Sequence, residues 1–147
     1  MINKYSCINI YENKKKNSKL SSQILYGEKF TILKRYKDWY KIKTSYDKYI
    51  GFIKKKKFES CVFKPTHKVS SLKAKVFLKP YKTSKVKMKL SFTSLIQVKS
   101  SNNGFFNFDN YWIQKSNVVP LSYKEKIFQR IKIFRNVKYK CCLLYTS

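Results

Sequence analysis

Short runs of alternating apolar and polar residues, separated by polar clusters typical of turns, fill the chain from Cys7 to Val119. Such alternation places every second side chain on one face of a β-strand, whereas a helix requires an apolar period near about 3.6 residues. Residues 39–43 and 49–53 are examples, and Gly27 lies between two further runs, where it predicts a turn. The pattern therefore predicts an all-β fold, either a barrel or a sandwich.

The order of these runs repeats at an offset of roughly 60 residues, the size at which a small barrel can just support its own core. Residues 75–80 parallel residues 9–12, and residues 104–113 parallel the strands that carry Trp39 and Phe52. The sequence therefore predicts two copies of one small barrel.

Three boundaries follow from these parallels. The first barrel is predicted over 1–60 and the second over 69–120, with a linker over 61–68 in which Pro65 disfavours continued sheet pairing. After Pro120 the hydrophobic period changes.

The last part of the chain has the pattern of a helix. Ser122 and Glu125 have the spacing of a capping box, which predicts a short amphipathic helix over 121–140. Its apolar face consists of Ile127, Phe128, Ile131 and Phe134.

The net charge of +27 raises the question of a polyanionic partner, because 34 residues are basic and 7 are acidic. Only Arg35, Arg130 and Arg135 carry the guanidinium group that recognises phosphate in a bidentate manner; the other basic residues are lysines. An AT-rich coding sequence favours AT-rich codons, and it is therefore expected to encode abundant Lys, Asn, Ile, Tyr and Phe and few Gly and Pro. Codon composition is therefore the favoured explanation of the charge, and nucleic acid is not the expected partner.

Several classes of site are not expected. Cys7, Cys61, Cys141 and Cys142 lack metal-ligand spacing, and the single histidine, His67, does not complete a zinc site with them. We predict no metal and no cofactor. No window approaches the roughly 18 apolar residues of a membrane span, and residues 1–20 lack a signal-peptide core, so we expect a cytoplasmic protein without membrane contact.

Three segments together resemble a known family. Residues 21–28 end in Tyr26-Gly27-Glu28, residues 39–42 form a tryptophan strand, and Asp47-Lys48-Tyr49-Ile50-Gly51-Phe52 follows. This pattern resembles the bacterial SH3 (SH3b) modules at the N-terminus of NlpC/p60 cysteine peptidases, most closely the dipeptidyl-peptidase VI type, although Phe52 replaces the usual tryptophan. The resemblance implies two tandem SH3-like barrels followed by the predicted helix.

The C-terminal stretch extends the resemblance and then departs from it. Residues 134–140 resemble the start of the family's catalytic domain, but residues 141–147 stand where Trp-Gly-Gly is expected. We therefore expect a reading frame truncated or frame-shifted at that point, with 141–147 as a non-native tail. The catalytic cysteine and histidine belong to the missing domain, so this chain is expected to be inactive.

The resemblance assigns a substrate and two binding residues. It implies a parent enzyme that cleaves the γ-D-glutamyl to diamino acid bond of murein peptides with a free N-terminal L-Ala, in the recycling of cell-wall material. In that family an aromatic residue of the first module helps to hold the substrate amine, and Tyr49, with Asp47, matches its position. The alternatives are that Tyr49 packs on its own barrel and that Asp47 forms a surface ion pair.

Two other interpretations stay open at this stage. Trp39, Phe52 and Trp112 could form an aromatic groove for a ligand, but their strand positions favour a place in or beside the core. The function predicted for the chain is non-catalytic gating or targeting for a murein-peptide hydrolase. The alternatives are a basic β-barrel module that binds nucleic acid or another polyanion, and a standalone scaffold protein.

Overall fold

The computed structural model describes residues 1–15 and 18–122, and it divides the chain into two units, Met1–Phe63 (unit 1) and Lys64–Ser147 (unit 2). The described residues contain β-strands and one short 3-10 turn, Lys115–Asn117, which confirms the predicted all-β class. Nearly all of the predicted helix over 121–140, and the whole predicted tail over 141–147, lie outside the described residues. Among the residues that are described, no helix is long and apolar enough to span a bilayer.

Unit 1 is one antiparallel sheet of five strands in the order β2-β1-β5-β4-β3. The strands are β1 (Cys7–Tyr11), β2 (Leu20–Leu25), β3 (Phe30–Arg35), β4 (Trp39–Thr44) and β5 (Ile50–Lys54). In β4 the alternation has a clear consequence: Tyr40 and Ile42 are buried, whereas Trp39 and Lys41 lie on the opposite, outer face. The core consists of Ile8, Ile10, Ile24, Phe30, Tyr40, Ile42 and Ile53.

Gly51 allows β5 to approach β1 closely. A Cβ atom at this position would collide with the Ile10 side chain and lie 3.2 Å from the Tyr11 carbonyl oxygen. Because Ile10 is fully buried, it has no free space to move into. A residue without a side chain is therefore needed here, and this close approach brings Tyr11 directly opposite Phe52.

Unit 2 contains a five-stranded sheet and a three-stranded sheet. The strands are β6 (His67–Val69), β7 (Lys73–Phe77), β8 (Val86–Ser91), β9 (Leu95–Ile96), β10 (Ser100–Asn102), β11 (Phe105–Phe108), β12 (Tyr111–Gln114) and β13 (Val118–Pro120). Because β6 begins at His67, the last two residues of the predicted linker, 61–68, belong to a sheet. The fully buried core residues include Val76, Leu90 and Ile113.

The two five-stranded sheets have the same strand order. The order β10-β11-β12-β7-β8 in unit 2 corresponds strand by strand to β3-β4-β5-β1-β2 in unit 1. The pairing of the first two strands shifts register at the matching point in each sheet, between Ile10 and Tyr11 and between Val76 and Phe77, opposite an extra residue in β2 or β8. Since bulges change the pairing register, their agreement fixes which residues correspond in the two units. Up to β4 and β11, matching residues are 66 positions apart, as 11 and 77 are.

Candidate functional site

Asp47 and Tyr49, the two residues predicted to bind substrate, lie in the turn between β4 and β5. The turn is closed by Thr44: its N–H donates to the Tyr49 carbonyl oxygen at 2.9 Å, and its hydroxyl oxygen accepts from the Tyr49 N–H at 2.9 Å. The Thr44 hydroxyl donates in turn to the Asp47 carboxylate. These bonds hold a carboxylate at an exposed position on a defined turn.

Tyr49 is half-buried and packs against the core of unit 1. Its ring carbon Cε1 lies 3.3 Å from the point that a Cβ atom on Gly51 would occupy, so the ring covers the glycine. This is the packing contact that the structural alternative predicted. Part of the side chain stays accessible, and substrate binding by Tyr49 and Asp47 remains a prediction.

The turn that carries these two residues is present only in unit 1. In unit 2 the matching pair of strands is joined through Asp109 and Asn110 alone, with Phe108 paired to Tyr111 and both turn residues at positive φ, 46° and 66°. Such values are typical of a tight type I′ hairpin. The corresponding pair in unit 1 is Ile42 and Gly51, so the first connection is six residues longer (42 to 51 against 108 to 111).

A row of lysine and aromatic side chains crosses the outer face of the unit 1 sheet. Lys34 pairs with Lys41, Lys41 with Phe52, and Phe52 with Tyr11, so four strands each contribute one neighbouring residue. We call these four residues the outer row. Directly opposed residues of an antiparallel pair have Cβ atoms about 4.5–5.5 Å apart, which makes the row continuous.

Two further rings flank the outer row. Trp39 meets Tyr11 edge to face, with ring centroids 5.6 Å apart and planes at 89°, and Tyr36 lies 6.2 Å from Phe52. All four rings are half-buried rather than part of the core. Trp39 and Phe52 therefore lie beside the core rather than within it, because Tyr40 and Ile53 occupy the inner face of their strands.

His67 and the two cysteines in the described part of the chain belong to different units. Cys7 and Cys61 belong to unit 1, whereas His67 belongs to unit 2 and has its Nδ1 atom 2.8 Å from the Thr66 hydroxyl. Its ring packs against that of Phe106, with centroids 4.8 Å apart and planes tilted by 47°, and burial lowers the pKa of the imidazole. Within the described part of the chain, no cluster of three or more His, Cys, Asp or Glu residues could hold a metal ion.

Sequence reasoning did not identify four residues of this surface: Tyr11, Lys34, Tyr36 and Lys41. A signal was present, because Tyr11 and Phe77 both follow an apolar strand residue in parallel segments. The sequence does not show which residues of the other strands lie beside Tyr11, because that depends on the pairing register and its shifts.

Comparison with known proteins agrees with this architecture. The family model described as the bacterial dipeptidyl-peptidase Sh3 domain matches residues 10–58. No curated protein sequence matches the chain.

Among solved structures, an NlpC/P60 family protein from Bacillus cereus ATCC 10987 is similar, with a TM-score of 0.67 and 14% identity. The similarity covers 84% of this chain and 56% of the Bacillus protein, so the present chain spans little more than half of that protein's length. At this identity the likeness shows a common fold, and its extent carries that fold well beyond unit 1. Residues 10–58 therefore match the bacterial dipeptidyl-peptidase Sh3 domain, and the chain is similar in fold to an NlpC/P60 family protein over most of its length.

Proposed function

We propose that this chain is the non-catalytic SH3 region of a peptidase of the NlpC/P60 type, and that it helps to position murein peptides for cleavage. The observation that carries the proposal is the match of residues 10–58 to the dipeptidyl-peptidase Sh3 domain. The fold likeness to an NlpC/P60 family protein supports it. The bond to be cleaved is the γ-D-glutamyl to diamino acid bond of wall-derived peptides with a free N-terminal L-Ala.

The turn between β4 and β5 has the chemistry needed to recognise a protonated amine. A carboxylate pairs with an ammonium group through charge-assisted hydrogen bonds, and an aromatic ring adds a cation–π contact. Asp47 and Tyr49 supply these two groups two residues apart, on a turn that Thr44 holds in place. The absence of a counterpart to this turn in unit 2 supports a role beyond folding.

The contribution of such a site is positional. By fixing the free amine at one end of the peptide, the turn restricts which bond reaches a catalytic group and excludes peptides whose amine is blocked. Bond cleavage itself requires a cysteine nucleophile and a histidine base within hydrogen-bond reach. We assign this chemistry to a further domain of the proposed parent peptidase.

Calorimetric binding of L-Ala-γ-D-Glu-diamino acid tripeptide to the 147-residue chain tests the proposal. We expect Asp47→Asn to weaken binding about tenfold, since it removes the charge of a charge-assisted bond but keeps an acceptor for Thr44. Tyr49→Ala should weaken it by a similar factor. The matched control is Tyr46→Ala, because Tyr46 lies in the same turn and is 67% exposed.

A tripeptide with an acetylated amine is the ligand control and should not bind. Equal affinity for the acetylated and free peptides would contradict amine recognition. Release of L-Ala-D-Glu by the purified chain would contradict the assignment as non-catalytic.

A further inference from the structure

We propose that the outer row of unit 1 and its flanking rings bind single-stranded nucleic acid. Such a ligand presents a phosphate at every step and a flat base between phosphates, so its binding surfaces combine cations with exposed aromatic rings. The outer row has this composition in order, with Lys34 and Lys41 followed by Phe52 and Tyr11. The site is distinct from the turn that carries Asp47 and Tyr49.

Positive charge is concentrated on the lysine side of this surface. The Lys14 ammonium lies 3.7 Å from the centroid of the Tyr36 ring, and that of Lys34 lies 5.2 Å from the same centroid. Two cations therefore meet on one ring beside the row. Lys43 lies on the outer face of β4 two residues beyond Lys41, which extends the basic strip along the strand.

The rings on the other side are placed to stack with bases. Tyr11, Trp39 and Phe52 lie on three neighbouring strands, and each is half-exposed on a face where core packing does not require an aromatic residue. The acidic residues closest in sequence are Glu12 and Asp38, one beside Tyr11 and one beside Trp39. Cations outnumber them on this surface, because Lys14, Lys34, Lys41 and Lys43 all contribute.

Unit 2 provides an internal comparison that separates this surface from the general lysine content of the chain. Its matching row consists of Ser100, Asn107, Trp112 and Phe77, in the same pairing order. The aromatic half is retained, but both lysines are replaced by uncharged residues. The row itself therefore carries two cations in unit 1 and none in unit 2, where an exposed lysine pair, Lys75 and Lys89, lies on β7 and β8 instead.

The aromatic pairs differ in the same direction. In unit 2 the counterpart of Tyr11 and Trp39 is Phe77 and Phe105, with the same 5.6 Å separation between centroids and planes at 86°. Both phenylalanines are 4% exposed, so that pair belongs to the core. In unit 1 the pair is partly open and carries a hydroxyl and an indole N–H, which is typical of rings that contact a polar ligand.

The first test is fluorescence anisotropy of a labelled oligothymidylate of about 12 nucleotides, a length within the range of single-strand binding sites. With the full chain, affinity should fall steeply between about 50 mM and about 200 mM salt. In Lys34→Ser/Lys41→Asn, which copies the row of unit 2, the slope of log K against log salt should decrease by about 0.7 for each phosphate that a lysine no longer neutralises.

The matched control is Lys75→Ser/Lys89→Asn, which removes a directly opposed and exposed lysine pair from the outer face of unit 2. The two double variants lose the same charge, so the global field of the protein changes equally. Equal weakening of oligonucleotide binding by both variants would overturn the proposal in favour of non-specific charge attraction.

Stacking of bases on Trp39 is tested separately, by tryptophan fluorescence. The chain contains two tryptophans, so Trp112→Phe leaves Trp39 as the sole indole fluorophore. We expect the oligonucleotide to quench Trp39 emission in that variant, and Trp39→Ala to weaken binding about 5- to 150-fold, the range for loss of one stacked base.

A polyglutamate peptide of equal length and charge serves as the competing probe. If it binds as tightly as the oligonucleotide, or if the oligonucleotide leaves Trp39 emission unchanged, the row is a site for acidic peptides or for ions, and the proposal fails. Asp47→Asn should leave oligonucleotide binding unchanged, which keeps this test independent of the proposed peptide site.

Discussion

The two units share a strand order but differ at two places on the surface of the sheet. Both keep the register shift in the β1–β2 or β7–β8 pair and the buried Ile53 or Ile113. They differ in the length of one hairpin and in the charge of one outer row. Features shared by both copies thus identify what the fold requires, and features of unit 1 alone identify the surfaces to which we assign binding.

The largest expected difference concerns the aromatic pair. Phe105→Ala should destabilise unit 2 by about 3–5 kcal/mol, since truncating a buried phenylalanine removes its transfer free energy and leaves a cavity. The matching change Trp39→Ala should cost only about 1 kcal/mol, the worth of an aromatic pair on a half-open surface. Urea unfolding monitored by amide exchange in β11 and β4 separately measures both. Equal losses would show that the two pairs serve the same structural role.

The next effect tests the close approach of β5 to β1. Gly51→Ala should destabilise unit 1 by about 1–3 kcal/mol, because the added methyl group collides with a buried isoleucine. Gly104→Asn is the control: Gly104 has open space around it and a φ of 79°, a conformation that asparagine tolerates. We expect the control to change stability by less than about 0.5 kcal/mol. A neutral Gly51→Ala, measured in the same unfolding assay, would remove the packing argument.

A smaller change in stability is expected at a turn position that holds glycine in unit 1 and threonine in unit 2. Gly27 and Thr93 occupy matching positions and both have positive φ, 82° and 73°. The left-handed conformation costs a residue with a side chain about 1–2 kcal/mol, whereas glycine loses about 0.5–1 kcal/mol more backbone entropy. Thr93→Gly should therefore stabilise unit 2 by about 0.5–1 kcal/mol, and Gly27→Thr should destabilise unit 1. A loss of stability in Thr93→Gly would show that the threonine side chain makes compensating contacts.

The sequence contained enough information for the strands but not for the surface. The predicted strands at 39–43 and 49–53 agree with β4 and β5 to within one residue at each end, because alternation with period two is a local signal. The all-β class follows from the same signal.

The assignment of faces and of the matching residues needed tertiary information. Alternation does not reveal that Tyr40, rather than Trp39, faces the core, since both are aromatic. A single offset of roughly 60 residues also hides the longer turn in unit 1, because the true offset is 66 before that turn and 60 after it, as the pairs 11 and 77 and 52 and 112 show. The offset between matching residues changes at the turn that carries Asp47 and Tyr49.

The smallest expected effect is a pH dependence of unit 2 that arises from His67 and Lys68. His67 and Lys68 stand 66 positions after Met1 and Ile2, so unit 2 has two titratable side chains where unit 1 has none. Burial lowers the pKa of His67 below 6.5 and that of Lys68 below 10.5. In both cases the unfolded chain holds its proton to a higher pH than the folded unit does.

The sign of each effect follows. The contribution of His67 is fully present above pH 6.5 and is lost as the pH falls from 6.5 toward the lowered pKa of the folded state. For Lys68 the free energy of unfolding rises as the pH increases from its lowered pKa toward 10.5. In this range the folded unit has lost the proton and no longer buries a charge, whereas the unfolded chain still carries the charge in water.

Two substitutions separate these contributions. His67→Gln should flatten the acid side of the unit 2 stability curve, and Lys68→Ile, which copies Ile2, should abolish the alkaline increase. Amide exchange in β6 and in β1, measured across the pH range after correction for intrinsic rates, distinguishes the units. The same pH dependence in both units would contradict the assignment to His67 and Lys68.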